Sequence, residues 1–153
     1  MRTGTGFDAH AFAEDRPLML GCIEVPFDRG LGGHSDGDVV AHAICDAVLG
    51  ATGLGDIGDL FPAGPRWVNA PGSLLLRDVA TRVAPAEVAW VDATVICERP
   101  RLSELRGDMR KAIAEALGIA ADVVSVKATT TDGMGFTGRG EGIAAMAVVT
   151  IRG

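Results

Sequence analysis

Positive charge is scarce in this chain. Its 153 residues carry 14 lysines and arginines against 20 aspartates and glutamates, a formal net charge of −6. That balance excludes the basic face with which a nucleic-acid-binding protein meets phosphates, so any polyanion has to be held by a local arrangement. No apolar run approaches the roughly 20 residues of a membrane-spanning helix, and no basic segment leads into an apolar run at the N-terminus. Neither a membrane span nor a secretory signal is expected. Cysteine is limited to Cys22, Cys45 and Cys97, an odd number with no short metal-ligand spacing, all in apolar surroundings. They read as reduced core residues of a cytoplasmic protein. A Walker-type loop is missing. Gly33-His34-Ser35-Asp36-Gly37 has a central serine but lacks the strand-to-helix context of a hydrolase elbow. Repeats, linkers and low-complexity segments are missing too, so residues 1–153 are read as one domain. The chain is 48% hydrophobic, enough for a core without staples.

Hydrophobic periodicity predicts strands over residues 2–12, 88–97, 123–128 and 143–151, and a short hairpin around Gly21-Cys22. In the second of these strands Val88, Trp90, Asp92, Thr94 and Ile96 are expected to share one face. Helices are predicted from a cap at Asp36 or Asp38 to about Thr52, stopped by Gly53, and over residues 73–83 and 102–117. Residues 28–37, 53–72 and 129–140 read as loops. Helices alternate with strands, so the expected class is α/β (α+β): a mixed four-stranded sheet covered by helices on one face. Glycine is abundant, with 21 residues clustered at 4–6, 30–37, 53–58 and 133–142. Four such clusters beside acids, histidines or hydroxyls suggest that backbone comes close to a ligand.

Histidine is also rare, and all three lie in the first 42 residues. Asp8 and His10 are two apart in a strand, so they point the same way. His42 falls in a helix that is apolar nearly all round, on a narrow stripe with Asp38 and Asp46 at four-residue spacing. Alone, His42 reads as a core histidine satisfied by a carboxylate. The Asp8/His10 pair turns the reading toward a metal site of two nitrogens and one carboxylate, a set that suits zinc with an open fourth position. Asp46, one turn on, can orient the imidazole of His42 as an acceptor.

The second dense segment is residues 127–142. Thr129, Thr130 and Thr131 offer hydroxyls and amides to phosphate oxygens. Asp132 can hold a hard divalent cation. Arg139 is an anion clamp, with Glu141 as its ion-pair partner. The plainer alternative is a threonine-rich turn with a surface salt bridge. Together the two segments fit an enzyme that handles a diphosphate.

Gly6-Phe7-Asp8-Ala9-His10, Gly33-His34-Ser35-Asp36-Gly37-Asp38, Leu54-Gly55-Asp56-Ile57-Gly58 and the 127–142 loop, in this order and spacing, resemble the 2-C-methyl-D-erythritol 2,4-cyclodiphosphate synthase family. The resemblance implies a cytoplasmic homotrimer with active sites between subunits. It implies conversion of 4-diphosphocytidyl-2-C-methyl-D-erythritol 2-phosphate to the cyclic diphosphate, with release of CMP, on the non-mevalonate route to isoprenoid precursors. Asp8, His10 and His42 become zinc ligands, and Asp132 the ligand of magnesium or manganese. His34, Ser35, Thr130 and Asp132 are implicated in catalysis, the first two from a mobile loop. Asp8 and His10 also meet the substrate, and Asp56, Ile57 and Gly58 hold its methylerythritol end. The cytidine pocket is lined by the segment from Cys97 to Leu102, with Pro100, Arg101 and Leu102, and by Ala128, Thr129 and Thr130. Phe136, Arg139 and Glu141 face the trimer axis, where related proteins can hold an isoprenoid diphosphate; Phe136 and Arg139 count among the substrate contacts as well.

Three departures from the family pattern stand out. Asp132 replaces the usual glutamate, Arg101 replaces a frequent lysine, and Phe61-Pro62-Ala63-Gly64-Pro65 lacks the aspartate often found after the proline. Two alternatives follow from the same residues: a zinc phosphodiesterase using metal-bound water, and a non-catalytic trimeric binder of cytidine nucleotides.

Overall fold

Small residues at alternate positions of the first strand decide how the helical layer meets the sheet. The computed structural model describes all residues, 1–153. Strand β1 (Arg2–Ala13) turns Gly4, Gly6, Asp8 and His10 to one face, and helix α1 (Val39–Thr52) packs on that face. A Cβ at Gly6 would run into the carbonyl of Ala43, and one at Gly4 into the backbone of Ala47 and Ala51. Alanine stands at each of these helical contacts, so the two backbones come very close. Two strand residues advance about 6.8 Å and four helical residues about 6 Å, which keeps the contacts in step. Two residues beyond Gly6 on the same face, Asp8 meets His42, the helical residue next to Ala43. The glycines at 4 and 6 therefore bring backbone close to a helix rather than to a ligand.

Helix α1 is buried almost all round, as its composition predicts. Asp38 caps it, Oδ1 accepting from the amides of Val40 and Ala41 at 3.1 and 3.0 Å. The same buried carboxylate accepts from the amides of Gly21 and Cys22 at 3.0 and 2.7 Å. Those residues form the turn between β2 (Leu18–Leu20) and β3 (Ile23–Val25), with φ of 60° and 66°. Both central residues of a type I′ hairpin turn need positive φ. One side chain thus joins the helix start to the hairpin.

The main sheet runs β4-β1-β7-β5-β6, with β4 (Gly30–Leu31), β5 (Glu87–Ile96), β6 (Val124–Thr129) and β7 (Gly142–Arg152). It has five strands, not four. The addition is β4, which pairs with Phe12 and Ala13; two residues are too few for an alternation to register in the sequence. Only β5 and β6 are parallel. Because β1 and β5 both run antiparallel to β7, their C-terminal ends share one edge of the sheet, together with that of β6.

Helices α3 (Gly72–Arg82) and α4 (Arg106–Leu117) complete the layer, α3 against α1 and α4 against α3 and β6. Helix α4 starts four residues later than predicted, since residues 103–105 form a turn. Short helices α2 (Ile57–Leu60) and α5 (Gly135–Gly138) lie within stretches read as loops. The other face of the sheet is open. Phe7 and Met146, partners across β1 and β7, are 57% and 52% exposed, and Trp90 and Val148 are exposed beside them. Val88 does not share that face: a bulge between Val88 and Trp90 turns it inward with Val91, Ala93 and Val95. No helix is long and apolar enough to cross a membrane.

Candidate active site

Three ligating groups converge where β1 meets α1. Oδ2 of Asp8 lies 2.9 Å from Nε2 of His10 and 2.9 Å from Nδ1 of His42. One oxygen thus faces two ring nitrogens, and the three ligand atoms lie within 4.8 Å of one another. Asp8 and His10 are half-buried, and His42 is buried. Burial opposes the charge on Asp8, but hydrogen bonds from His10 and His42 outweigh it and hold the carboxyl well below its usual range. For His42, burial disfavours the proton. Its bond to Asp8 and the charges of Asp8, Asp38 and Asp36 outweigh that burial and raise its pKa. An ionised carboxylate and two imidazoles aimed at one point form a donor set that fits zinc.

The acceptor beyond His42 is not Asp46. Oδ1 of Asp46 takes the amide of Ile57 at 2.9 Å and so anchors the start of α2. The far ring nitrogen of His42, Nε2, meets the hydroxyl of Ser35 at 2.9 Å instead. Four-residue spacing put Asp46 on the right stripe of the helix; the loop of residues 33–37, folding back over α1, took the position.

Asp8, His10 and His42 open into a cavity of about 280 Å³ shared with His34, Ser35, Ile57 and Gly58. Its apolar wall is Phe61, Ala63, Trp67 and Leu75, with the Phe61 and Trp67 rings edge to face at 4.8 Å. That wall was not legible in the sequence, because it is assembled from a loop and one turn of α3. His34 Nε2 lies 2.9 Å from the amide of Gly64 and 2.7 Å from its carbonyl, joining two loops across the rim. Asp56 is exposed and caps α2 through the amide of Asp59, so Ile57 and Gly58 reach the cavity and Asp56 does not line it.

A second cavity, of about 320 Å³, lies between residues 97–106 and the end of β6. Pro100, Arg101 and Leu102 form one side, Ala128, Thr129 and Thr130 the other. The Thr-rich loop beyond it is pinned by a residue of the 97–102 segment to which the sequence assigned no role of its own. Oε1 of Glu98 accepts from the amides of Thr131 and Gly133 at 3.1 and 3.2 Å. Asp132, between those amides, has φ of 52°, a left-handed conformation that aspartate tolerates better than most residues. Its Oδ1 accepts from the Thr130 hydroxyl at 3.3 Å. Phe136 is exposed on α5, and Arg139 pairs with Glu141 at 2.8 Å, both side chains more than half exposed.

The two cavities sit at the same sheet edge but three strand spacings apart, about 14 Å, and share no lining residue. The largest cavity, about 590 Å³, opens at the far end between the C-terminal ends of α3 and α4. It is lined mainly by alanine and valine, and neither site segment reaches it.

Residues 1–152 match the YgbB family. Proteins curated as 2-C-methyl-D-erythritol 2,4-cyclodiphosphate synthase from Moorella thermoacetica and Salinibacter ruber are 53% and 54% identical to the chain. Each match covers 99% of this chain, and 94% and 99% of the relatives. Among solved structures, a CDP complex of IspF from Plasmodium falciparum superposes with a TM-score of 0.85. It is 31% identical and covers 98% of this chain and 94% of that one.

Proposed function

The chain belongs to the YgbB family, and from that premise we propose a division of labour for its two cavities. The activity is that of a cyclodiphosphate synthase. The substrate, 4-diphosphocytidyl-2-C-methyl-D-erythritol 2-phosphate, is converted to 2-C-methyl-D-erythritol 2,4-cyclodiphosphate and CMP in the non-mevalonate pathway. The 2-phosphate attacks the β-phosphorus of its own diphosphate, forming the ring P–O bond as the bond to the CMP oxygen breaks. Nucleophile and leaving group belong to one molecule, so the protein's task is alignment and neutralisation of charge. A phosphate oxygen is already ionised at neutral pH and needs no strong base, so the Asp8, His10 and His42 cluster is free to serve as ligands.

Asp8, His10 and His42 would hold zinc. Asp132, with oxygen from the neighbouring threonines, would hold magnesium or manganese, a hard-cation set. Bound metal supplies positive charge to the phosphate oxygens. His34 and Ser35 orient the phosphates from the loop over α1. Ile57 and Gly58, with the apolar wall of Phe61 and Trp67, take the methylerythritol end. Pro100, Arg101, Leu102 and residues 128–130 take the cytidine, and Thr130 sits between the nucleotide and Asp132.

Both halves have to meet one substrate, and in one chain they are about 14 Å apart. A homotrimer supplies the answer: the cytidine pocket of one subunit sits beside the metal pocket of the next. The open sheet face carrying Phe7, Trp90, Met146 and Val148 supports this, since large exposed apolar patches mark interaction surfaces. Phe136, Arg139 and Glu141 would then line the axis, where an isoprenoid diphosphate could be held. The enzyme would work in the cytoplasm.

The observation that carries the reading is the convergence of Asp8, His10 and His42 in the cavity that also holds His34 and Ser35. The deciding experiment is incubation with the diphosphocytidyl substrate and magnesium. CMP with the cyclic diphosphate is expected. A linear bisphosphate would replace the synthase by a phosphodiesterase, and nucleotide binding without turnover would leave only a binder.

A further inference from the structure

Arg16 lies in the turn between β1 and β2, and none of the chain's ion pairs includes it. Its guanidinium is used on the main chain. Nη1 donates to the carbonyl of Gly33 at 2.9 Å, and Nη2 donates to the carbonyl of Ser35 at 2.5 Å. These carbonyls are two residues apart and flank His34. The base of the arginine is itself held close: a Cβ at Gly30 would collide with the carbonyls of Arg16 and Pro17.

From the other side the same loop is held by groups of the site. The Ser35 hydroxyl meets His42, the His34 ring meets Gly64, and the His34 carbonyl accepts from the amide of Asn69 at 2.9 Å. Asp36 is held as well, its amide donating to the carbonyl of Ala70 at 3.1 Å and its Oδ2 accepting from the amide of Gly72 at 2.9 Å. Arg16 is the one side chain that grips the carbonyls on both sides of His34. A planar guanidinium presents two nitrogens in a fixed fork, whereas a lysine ammonium is a single point charge on a flexible stem.

We propose that Arg16 is a positioning residue: its fork on the carbonyls of Gly33 and Ser35 holds His34 and Ser35 toward the metal cavity before substrate binds. The importance of that loop for turnover rests on the function proposed above; the grip itself does not. Ordering the loop in advance removes an entropic cost from binding, so the effect should fall chiefly on KM.

The test uses the full-length protein and the variants Arg16→Ala and Arg16→Lys. Three quantities are measured: amide hydrogen exchange over residues 33–37 without substrate, zinc content, and steady-state kcat and KM. Loss of hydrogen bonds from a charged donor corresponds to about tenfold or more in the open population. Both variants are expected to exchange about tenfold faster over residues 33–37, with α1 unchanged and zinc retained. KM should rise about tenfold, with a smaller change in kcat. Unchanged exchange in Arg16→Ala overturns the proposal. So does wild-type exchange and KM in Arg16→Lys, which would reduce the role to charge. If the wild-type protein failed to turn over the substrate, the proposed function would fall and the exchange data would still decide the grip.

Discussion

The hydroxyl of Ser35 lies 2.9 Å from Nε2 of His42, on the opposite side of the ring from Asp8, which meets Nδ1 at 2.9 Å. With a metal on Nδ1 the ring would carry its hydrogen on Nε2, and Ser35 would accept it and fix both tautomer and ring angle. Ser35→Ala removes the acceptor and leaves the ligands in place. Zinc affinity is expected to fall by about 10- to 100-fold, measured by competition with a chromogenic chelator, while urea stability of the zinc-free protein stays within about 0.5 kcal/mol. An affinity equal to wild type would show that Ser35 does not orient the ligand.

His42→Ala takes away one of the proposed ligands itself. Zinc should be lost by metal analysis and turnover abolished, with oligomer size unchanged in sedimentation, because the site lies on the helix-covered side of the sheet rather than on its open face. Retained activity would end the zinc assignment.

The second half of the site separates from the first in Asp132→Ala. Turnover with magnesium should fall at least about 100-fold while bound zinc stays at the wild-type level. Glu98 is expected to act through the same loop. Glu98→Ala frees the amides of Thr131 and Gly133 and should lower kcat/KM by about tenfold. Glu98→Gln keeps an oxygen at that position and should stay near wild type. Equal losses in the two Glu98 variants would point to the charge rather than to the anchoring of the loop.

Gly6→Ala is a test of the fold. Its methyl group would meet the carbonyl of Ala43, and neither backbone can yield without shifting α1. A loss of about 3 kcal/mol or more is expected in urea unfolding, with zinc binding weakened because Asp8 and His42 depend on the same approach. Stability close to wild type would mean that the helix moves away from the strand more easily than its packing implies.

Burial raises the pKa of Asp46, against the lowering effect of its bond to Ile57. The folded protein therefore keeps this proton to a higher pH than the unfolded chain does. Between the two values unfolding releases the proton, so stability falls as pH rises through that window. Asp46→Asn keeps an acceptor for Ile57 and abolishes the titration. In zinc-free protein the variant should be at least as stable as wild type at pH 7, with the difference shrinking toward pH 4. A variant less stable at pH 7 than at pH 4, relative to wild type, would reverse the assigned sign.

Much of the site was legible before any fold was known. Asp8 and His10 share a face because any strand alternates, and His42 stands out because a buried helix tolerates few polar groups. A cap at Asp36 or Asp38 and a stop at Gly53 follow from local backbone chemistry, and the structure uses Asp38. The motifs up to residue 142 carry the family resemblance by order and spacing alone. Each of these depends on residues within one element or one turn, where periodicity and capping operate directly.

Tertiary structure alone decided which side chain serves His42, and it chose Ser35 from a loop over Asp46 from the same helix. It also decided that Gly4 and Gly6 admit a helix, that Val88 turns inward at a bulge, and that Arg16 and Glu98 hold the two loops of the site. These outcomes depend on contacts between residues far apart in the chain: Arg16 and Gly33 are 17 positions apart, and the partner there is a bare carbonyl with no side-chain signature. A hydrogen bond to main chain leaves no pattern in residue types, so spacing along the sequence cannot reveal it. The proposed ligand set was determined by the order of amino acids; how its side chains and loops are held was determined by contacts that form only in the folded chain.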